Sequence, residues 1–172
     1  MLKGEQIYLR TLEPADADII LKWENNSDNW RLSNTLVPFS RKLIEDYVNS
    51  AQDIYSIKQL RFIICLVEND KEIGAIDLFD FDPYHQKVGL GILIAKFEDR
   101  RNGYAKEAVL LIKEYCFNHL NLHQVYCNVL SKNKASIDLF EKSGFTICGT
   151  KKDWIKNKEG WLDELMLQSF SI

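Results

Sequence analysis

The stretch Arg100-Arg101-Asn102-Gly103-Tyr104-Ala105 joins a strand-patterned run at residues 88–95 to a helix-patterned run at residues 104–119. Glycine at position 103 accepts a backbone conformation that a Cβ would hinder, so successive N–H groups can turn into one concavity where the helix begins. A helix N-terminus carries partial positive charge, and Arg100 and Arg101 add two guanidinium groups able to reach phosphate oxygens. Together these features make a phosphate cradle. The same six residues also suit a plain basic turn, because motifs this short recur by chance.

Neither G-x-x-x-x-G-K-[ST] nor G-x-G-x-x-G occurs in the chain, which removes support for nucleoside triphosphate chemistry and for dinucleotide binding. A ligand of this loop is then a phosphate carrier that needs one short loop and an open strand beside it.

Working outward, residues 61–67 and 73–81 read as strands of an antiparallel hairpin, with Asn69-Asp70 supplying the turn chemistry. Asp82-Pro83-Tyr84-His85 leads into the strand at 88–95. Gly89 and Gly91 within that strand imply either a bulge or close approach of something to the backbone, or simple crowding from a neighbouring helix. After the loop, Ala105, Ala108, Val109, Ile112, Tyr115 and Cys116 fall on one helical face. A strand at 122–130 follows, so strand, helix and strand form a right-handed crossover with parallel pairing. Residues 133–143 form a short helix stopped by Gly144, and residues 145–152 and 161–170 form a closing antiparallel pair. Upstream lie a strand at 6–12, a helix at 15–25, an irregular aromatic segment at 26–39, and a helix at 41–51 capped by Ser40. This N-terminal helical part is where a substrate mouth could be built.

The 172 residues, with 46% hydrophobic and 27% charged side chains, suit a single domain spanning 1–172 with a core that needs no staple. A net charge of −3 argues against a nucleic-acid partner and permits a cationic substrate. No signal peptide or membrane-length apolar run is visible, so a cytoplasmic protein without a membrane partner is expected. Cys65, Cys116, Cys127 and Cys148 never form C-x-x-C and each lies in an apolar run, which implies buried reduced thiols. His85, His119 and His123 lack metal-ligand spacing, so no metal is expected.

The loop matches the pattern [QR]-x-x-G-x-[GA], and Asn133 begins a segment ending in Gly144-Phe145. With the opening Leu-Arg-x-Leu-Glu at residues 9–13 and the hairpin bearing Asp163, the chain resembles the Gcn5-related N-acetyltransferase superfamily over nearly its whole length. The likeness is to the branch of ribosomal-protein N-terminal acetyltransferases and spermidine N-acetyltransferases. That resemblance implies an α/β (α+β mixed) fold: a central mixed, mostly antiparallel, V-splayed sheet of about seven strands flanked by about four helices. It implies acetyl-coenzyme A as cosubstrate, with Arg100, Arg101, Asn102, Gly103, Tyr104 and Ala105 around the pyrophosphate and the backbone of Ile92, Leu93 and Ile94 along the pantetheine. Asn133 would contact the cofactor further along, and Phe140 would pack near its thiol end. The implied reaction is acetyl transfer to a primary amine, by direct attack through a tetrahedral intermediate, on a polyamine such as spermidine or another small-molecule or protein N-terminal amine.

Many members of the superfamily carry Tyr where this chain has Phe140, and several carry Glu where it has Gly89. A phenyl ring cannot donate a proton, so Ser136 is the candidate partner of the leaving thiolate. Asp77 and Asp80 are candidates for general base through water, or for binding a cation. Among small amines a polyamine is the first choice, since Glu24, Asp28, Asp77, Asp80 and Asp82 could line the mouth with negative charge, the alternative being surface carboxylates scattered around the sheet. The two departures also leave open a non-catalytic acetyl-coenzyme A-binding sensing or regulatory module. A homo-oligomer is compatible with all of this.

Overall fold

Residues 1–33, 37–50 and 53–171 are described in a computed structural model of the chain. A short β1 (Leu2–Lys3) and β2 (Ile7–Thr11) precede α1 (Ala17–Glu24), α2 (Ser27–Ser33), α3 (Arg41–Val48) and α4 (Ile54–Ile57). The meander β3 (Leu60–Leu66), β4 (Glu72–Asp82) and β5 (Lys87–Ile94) leads through the glycine loop to α5 (Tyr104–Glu114). β6 (Gln124–Leu130), α6 (Lys134–Lys142), β7 (Thr146–Asn157) and β8 (Gly160–Phe170) complete the chain.

The strands form one sheet of eight in the order β1-β2-β3-β4-β5-β6-β8-β7. All neighbours are antiparallel except β5 and β6. The mixed, mostly antiparallel sheet flanked by helices is therefore as expected, with eight strands where about seven were anticipated. The extra one is β1, whose two residues are too few to show an alternation. α2 and α4 lie in segments whose composition is polar and aromatic without helical period. The helix expected at 41–51 ends at Val48, and its last residue, Ala51, lies outside the described residues, as do positions 34–36 of the segment expected to be irregular.

Period-two alternation divides the core between the two faces of the sheet. From β3, Phe62, Ile64 and Leu66 join α5 and α6 in one cluster, while Ile63 and Cys65 join Ile20, Trp23, Ile44 and Val48 of α1 and α3 in the other. Side chains of β3 are buried on both faces because helices cover both. Cys65, Cys116 and Cys127 are buried, and burial pushes the thiols of Cys116 and Cys127 up to about 12. Cys148, in contrast to the expectation, is exposed, because β7 is the outer strand of the sheet and has most of its side chains in solvent. No helix among the described residues is long and apolar enough to cross a membrane.

Local chemistry sets the helices that face the later site. Ser40 caps α3 by accepting from the Leu43 N–H at 3.2 Å. Ahead of α1, the buried Asp16 accepts two bonds from Arg10, both 2.8 Å, and one from the Glu13 N–H. Burial opposes ionisation of Asp16, but the Arg10 bonds and charge and the Glu13 N–H together outweigh it and hold its carboxyl below the usual range.

The paired glycines of β5 have different reasons. A Cβ at Gly89 would lie 2.2 Å from the Phe79 ring, whereas one at Gly91 would meet only the edge of that ring at 3.8 Å. Crowding explains the first, but by a ring of the adjacent strand β4 rather than by a helix, and the irregularity falls not in β5 but in β4, between Phe79 and Asp82. Gly89→Ala should therefore cost about 1–3 kcal/mol of stability through overpacking. Gly91→Ala should stay within about 0.5 kcal/mol of the parent, as is usual where no buried contact changes. Urea denaturation of both variants tests this, and equal midpoints would remove the crowding argument.

Candidate active site

β5 and β6 are paired only at Lys87↔Gln124, Val88↔Val125 and Gly89↔Tyr126. Beyond them, β5 stays with β4 as far as Ile94↔Gly74, and β6 stays with β8 as far as Leu130↔Glu164. The two parallel strands part at their C-terminal ends, and a wedge opens between residues 90–94 and residues 127–130. Backbone N–H and C=O groups along that edge lose their ladder partners although Leu90 and Ile94 are buried, so they need partners from elsewhere. The Ile94 carbonyl already has one, since the Arg100 Nε donates to it at 3.0 Å.

Both helices that follow the splayed strands begin at this end of the sheet. In the loop before α5, Arg101 has φ 65° and Gly103 φ 88°. A Cβ at 103 would meet nothing nearer than the Gln6 amide at 3.7 Å, so the glycine answers a conformational demand rather than a lack of room. The helical ladder starts with the Glu107 N–H donating to the Gly103 carbonyl at 3.1 Å, which leaves the N–H groups of residues 103–106 outside it. That donor set, with the dipole of α5 behind it, fits a pyrophosphate. Tyr104 and Ala105 are half-buried in the first turn, and the Asn102 amide donates to the Glu98 carbonyl at 3.2 Å.

The two arginines diverge. Arg100 reaches back to the end of β5 and to the Asn29 amide oxygen at 3.2 Å, tying the strand to α2. Arg101 is exposed and, among the described residues, pairs with no carboxylate.

At α6, Asn133 is the cap and accepts from the Ser136 N–H at 3.2 Å, so Ser136 stands in the first turn, half-buried. Phe140 is in the core, edge-on to Phe145 with centroids 5.1 Å apart. It lies one helical turn past Ser136.

A cavity of about 690 Å³ continues from the wedge toward α1 and α3. Gly91, Ile92 and Leu93 of β5 line one side, Asn128 and Glu164 the other, and Trp23, Phe39, Leu43 and Tyr47 the far wall. Neither Ile94 nor Asn133, Ser136 and Phe140 line it.

Sequence reasoning missed Arg61, the half-buried cation of the cavity. Its Nε donates to Asp77 at 2.6 Å and one terminal nitrogen donates to Glu24 at 2.8 Å. Its guanidinium also covers the Tyr47 ring at 5.4 Å. The opposition of Arg61 and Asp77 across β3 and β4 is a register fact, and no local signal in the sequence announces it. Asp77 is thus engaged in a two-bond pair rather than standing free as a base. Asp80 is exposed, accepts from the Tyr126 hydroxyl at 3.4 Å, and does not line the cavity. Asp28 and Asp82 are also outside its lining, and Asp82 instead caps the turn by accepting from the His85 N–H. Glu164, buried and also missed, pairs with Lys151 at 2.5 Å.

The model of the acetyltransferase (GNAT) domain matches residues 6–146. The chain is 29% identical over 176 residues to the probable N-acetyltransferase YjcK of Bacillus subtilis, covering 97% of this chain and 95% of that one. It is 27% identical over 144 residues to the spermidine N(1)-acetyltransferase of Vibrio cholerae, covering 83% of this chain and 80% of the relative. Among solved structures, spermidine N-acetyltransferase from Vibrio cholerae in complex with CoA and spermine aligns with a TM-score of 0.86 at 24% identity, covering 97% and 96% of the two chains. A GNAT-family acetyltransferase from Bacillus anthracis aligns with a TM-score of 0.82 at 21% identity, covering 98% and 97%. At these identities the structural matches establish the fold.

The different duties of the arginines can be measured apart. Arg100→Ala should lower stability by about 1.5–3 kcal/mol through loss of charge-assisted bonds to the end of β5, while Arg101→Ala leaves the unfolding midpoint unchanged. Equal thermal and urea midpoints for the two variants would contradict the division.

Proposed function

Because the chain belongs to the acetyltransferase (GNAT) family and is an N-acetyltransferase, we propose that it moves an acetyl group from acetyl-coenzyme A to a primary amine by direct attack. The observation that carries this reading is the wedge between β5 and β6, whose unpaired strand edge runs to the Gly103 cradle. Coenzyme A supplies an activated acyl thioester on a pantetheine arm that ends in a pyrophosphate. An extended arm with amide groups suits an unpaired strand edge, and a pyrophosphate suits a helix N-terminus.

In this reading the backbone of Ile92, Leu93 and Ile94 pairs with the arm, and Arg101, Asn102, Gly103, Tyr104 and Ala105 hold the pyrophosphate. Arg100 supports them by fixing the end of the strand. Asn133 sets the first turn of α6, and Phe140 supports that helix from the core. A backbone N–H of β5 in the wedge stabilises the oxyanion that develops at the thioester carbonyl. Ser136, at the positive end of α6, hydrogen-bonds the departing thiolate.

No covalent nucleophile is needed, because a neutral amine attacks a thioester unaided once its proton is gone. Every carboxylate lining the cavity is already in an ion pair. Proton removal then falls on water, aided by apolar walls that disfavour the charged amine, with Asp77 holding Arg61 in place. The names of the spermidine-acetylating relatives put a polyamine among the acceptors to be tried.

Purified protein incubated with acetyl-coenzyme A and a panel of polyamines, monoamines, amino acids and peptides should release thiol with at least one amine. Binding of acetyl-coenzyme A without turnover on any of them would overturn the reading.

Two substitutions test the parts separately. Gly103→Asp brings a side chain to a left-handed position and negative charge to the cradle, so calorimetry should show weakened acetyl-coenzyme A binding by a folded protein. Unchanged affinity would remove the cradle. Ser136→Ala should lower kcat by roughly tens-fold to a thousandfold, with acetyl-coenzyme A affinity nearly unchanged, because the bond strengthens only as charge forms. An unchanged kcat with chemistry rate-limiting would return Ser136 to the helix surface.

A further inference from the structure

We infer that Asn128 is the residue that orients the attacking amine, its side-chain carbonyl accepting an N–H of the acceptor nitrogen opposite the bare backbone of Gly91. This rests on the reading of the chain as an acetyl-coenzyme A-dependent N-acetyltransferase.

Position is the first ground. The last parallel pair is Gly89↔Tyr126, and the same register carried to the next residues of that face sets Asn128 beside Gly91, where the strands have parted. Val125, Cys127 and Val129 of β6 belong to the core on the α5 side. Alternation therefore sends Asn128 to the other face, where it lines the cavity together with Gly91. Among the described residues, it is the one that β6 adds to that lining.

Room is the second. Gly91 has neither a left-handed φ nor a crowding neighbour to require it, since a Cβ there would meet only the Phe79 ring at 3.8 Å. What its missing side chain leaves is space on the cavity face, between the β5 edge that holds the thioester in that reading and the Asn128 amide. An attacking nitrogen needs that space.

Available chemistry is the third. Arg61 is bonded to Glu24 and Asp77, Glu164 is bonded to Lys151, and the Tyr47 hydroxyl is closed off from solvent. Gln59 lines the cavity too, but from just ahead of β3, which β4 and β5 separate from the wedge. Asn128 is exposed, and among the described residues its side-chain amide has no hydrogen-bond partner. A carboxamide also suits the task. Its oxygen accepts an N–H, and having no charge it does not hold the amine in the protonated, unreactive form as a carboxylate would.

In the step itself, the nitrogen lone pair forms the C–N bond while the carbonyl electron pair moves to oxygen. That pair returns as the C–S bond breaks, the surplus proton on nitrogen leaves to water, and the thiolate departs. Positive charge grows on nitrogen as it attacks, so the bond to Asn128 strengthens toward the transition state.

The test follows single-turnover acetyl transfer with the full chain in excess over acetyl-coenzyme A, so that product release does not mask the chemical step. Spermidine, n-butylamine, glycine and glycinamide are the acceptors, each at saturating concentration, and the fastest is carried into the variants. Asn128→Ala should lower the transfer rate about tenfold to a hundredfold, with Tm and acetyl-coenzyme A affinity unchanged. Asn128→Asp keeps an acceptor oxygen and should stay within about threefold of the parent at high pH, while the rising limb of its pH profile moves upward because the carboxylate favours the ammonium. A transfer rate for Asn128→Ala within about twofold of the parent overturns the inference and leaves the transferase reading standing. Asn128→Asp impaired as deeply as Asn128→Ala at every pH does the same, since the amide would then be a donor. Absence of transfer to all of these amines, with acetyl-coenzyme A bound, overturns both.

Discussion

The parting of β5 from β6 is the constraint on which the rest of the structure depends. Each strand has a stronger attachment on its other side: β5 keeps its antiparallel register with β4 to Ile94, and β6 keeps its register with β8 to Leu130. Parallel pairing between them survives for three residue pairs and then yields. Near the point of divergence, Phe79 lies on Gly89 and makes an edge contact with Tyr126 at 6.0 Å, so a ring occupies the face where the sheet begins to split. The irregularity between Phe79 and Asp82 adds local twist to β4. A continuous sheet would have no cavity there.

Everything that gives the site chemistry is attached to that opening. Because β5 and β6 run parallel, the helices that follow them both start at the splayed end. This is the general location of ligand sites in sheets whose neighbouring strands diverge to different partners. The cradle at Gly103 and the capped first turn at Asn133 and Ser136 thus share one end of the sheet without any contact in sequence. The tertiary ties that hold this end are polar: Arg100 to the end of β5, and the Glu107 carboxylate to the backbone N–H of Gln6 at 3.1 Å, which brings the N-terminal segment against α5.

The acceptor side is governed by a different economy. Arg61 is enclosed with Glu24 and Asp77, and burial alone would weaken its charge, yet the two carboxylates reverse that and hold it protonated. Removing one partner from such a cluster leaves a charge uncompensated in a poorly hydrated place. The cluster therefore behaves as a fixed wall with a small net charge rather than as a set of free bases. Each carboxylate that lines the cavity is held in an ion pair of this kind.

By itself the sequence determined the elements whose signals are local. The loop Arg100 to Ala105, the Ser40 cap, the Asn69-Asp70 turn and the stop at Gly144 each rest on backbone chemistry within a few residues, and the helical face of α5 rests on its period. The motif pair at Gly103 and Asn133 was enough to indicate the family, since order and spacing of two short motifs carry more information than either. Only the tertiary structure decided that Arg100 serves the strand while Arg101 faces solvent, that Gly89 is required by Phe79 while Gly91 is not, and that Phe140 belongs to the core. It also decided that Arg61 neutralises Asp77, and that Asp28, Asp80 and Asp82 stay away from the cavity. Those outcomes depend on cross-strand register and on helices packed over a splayed sheet, and a charge in a sequence does not say which opposite charge, dozens of residues away, the register will set beside it.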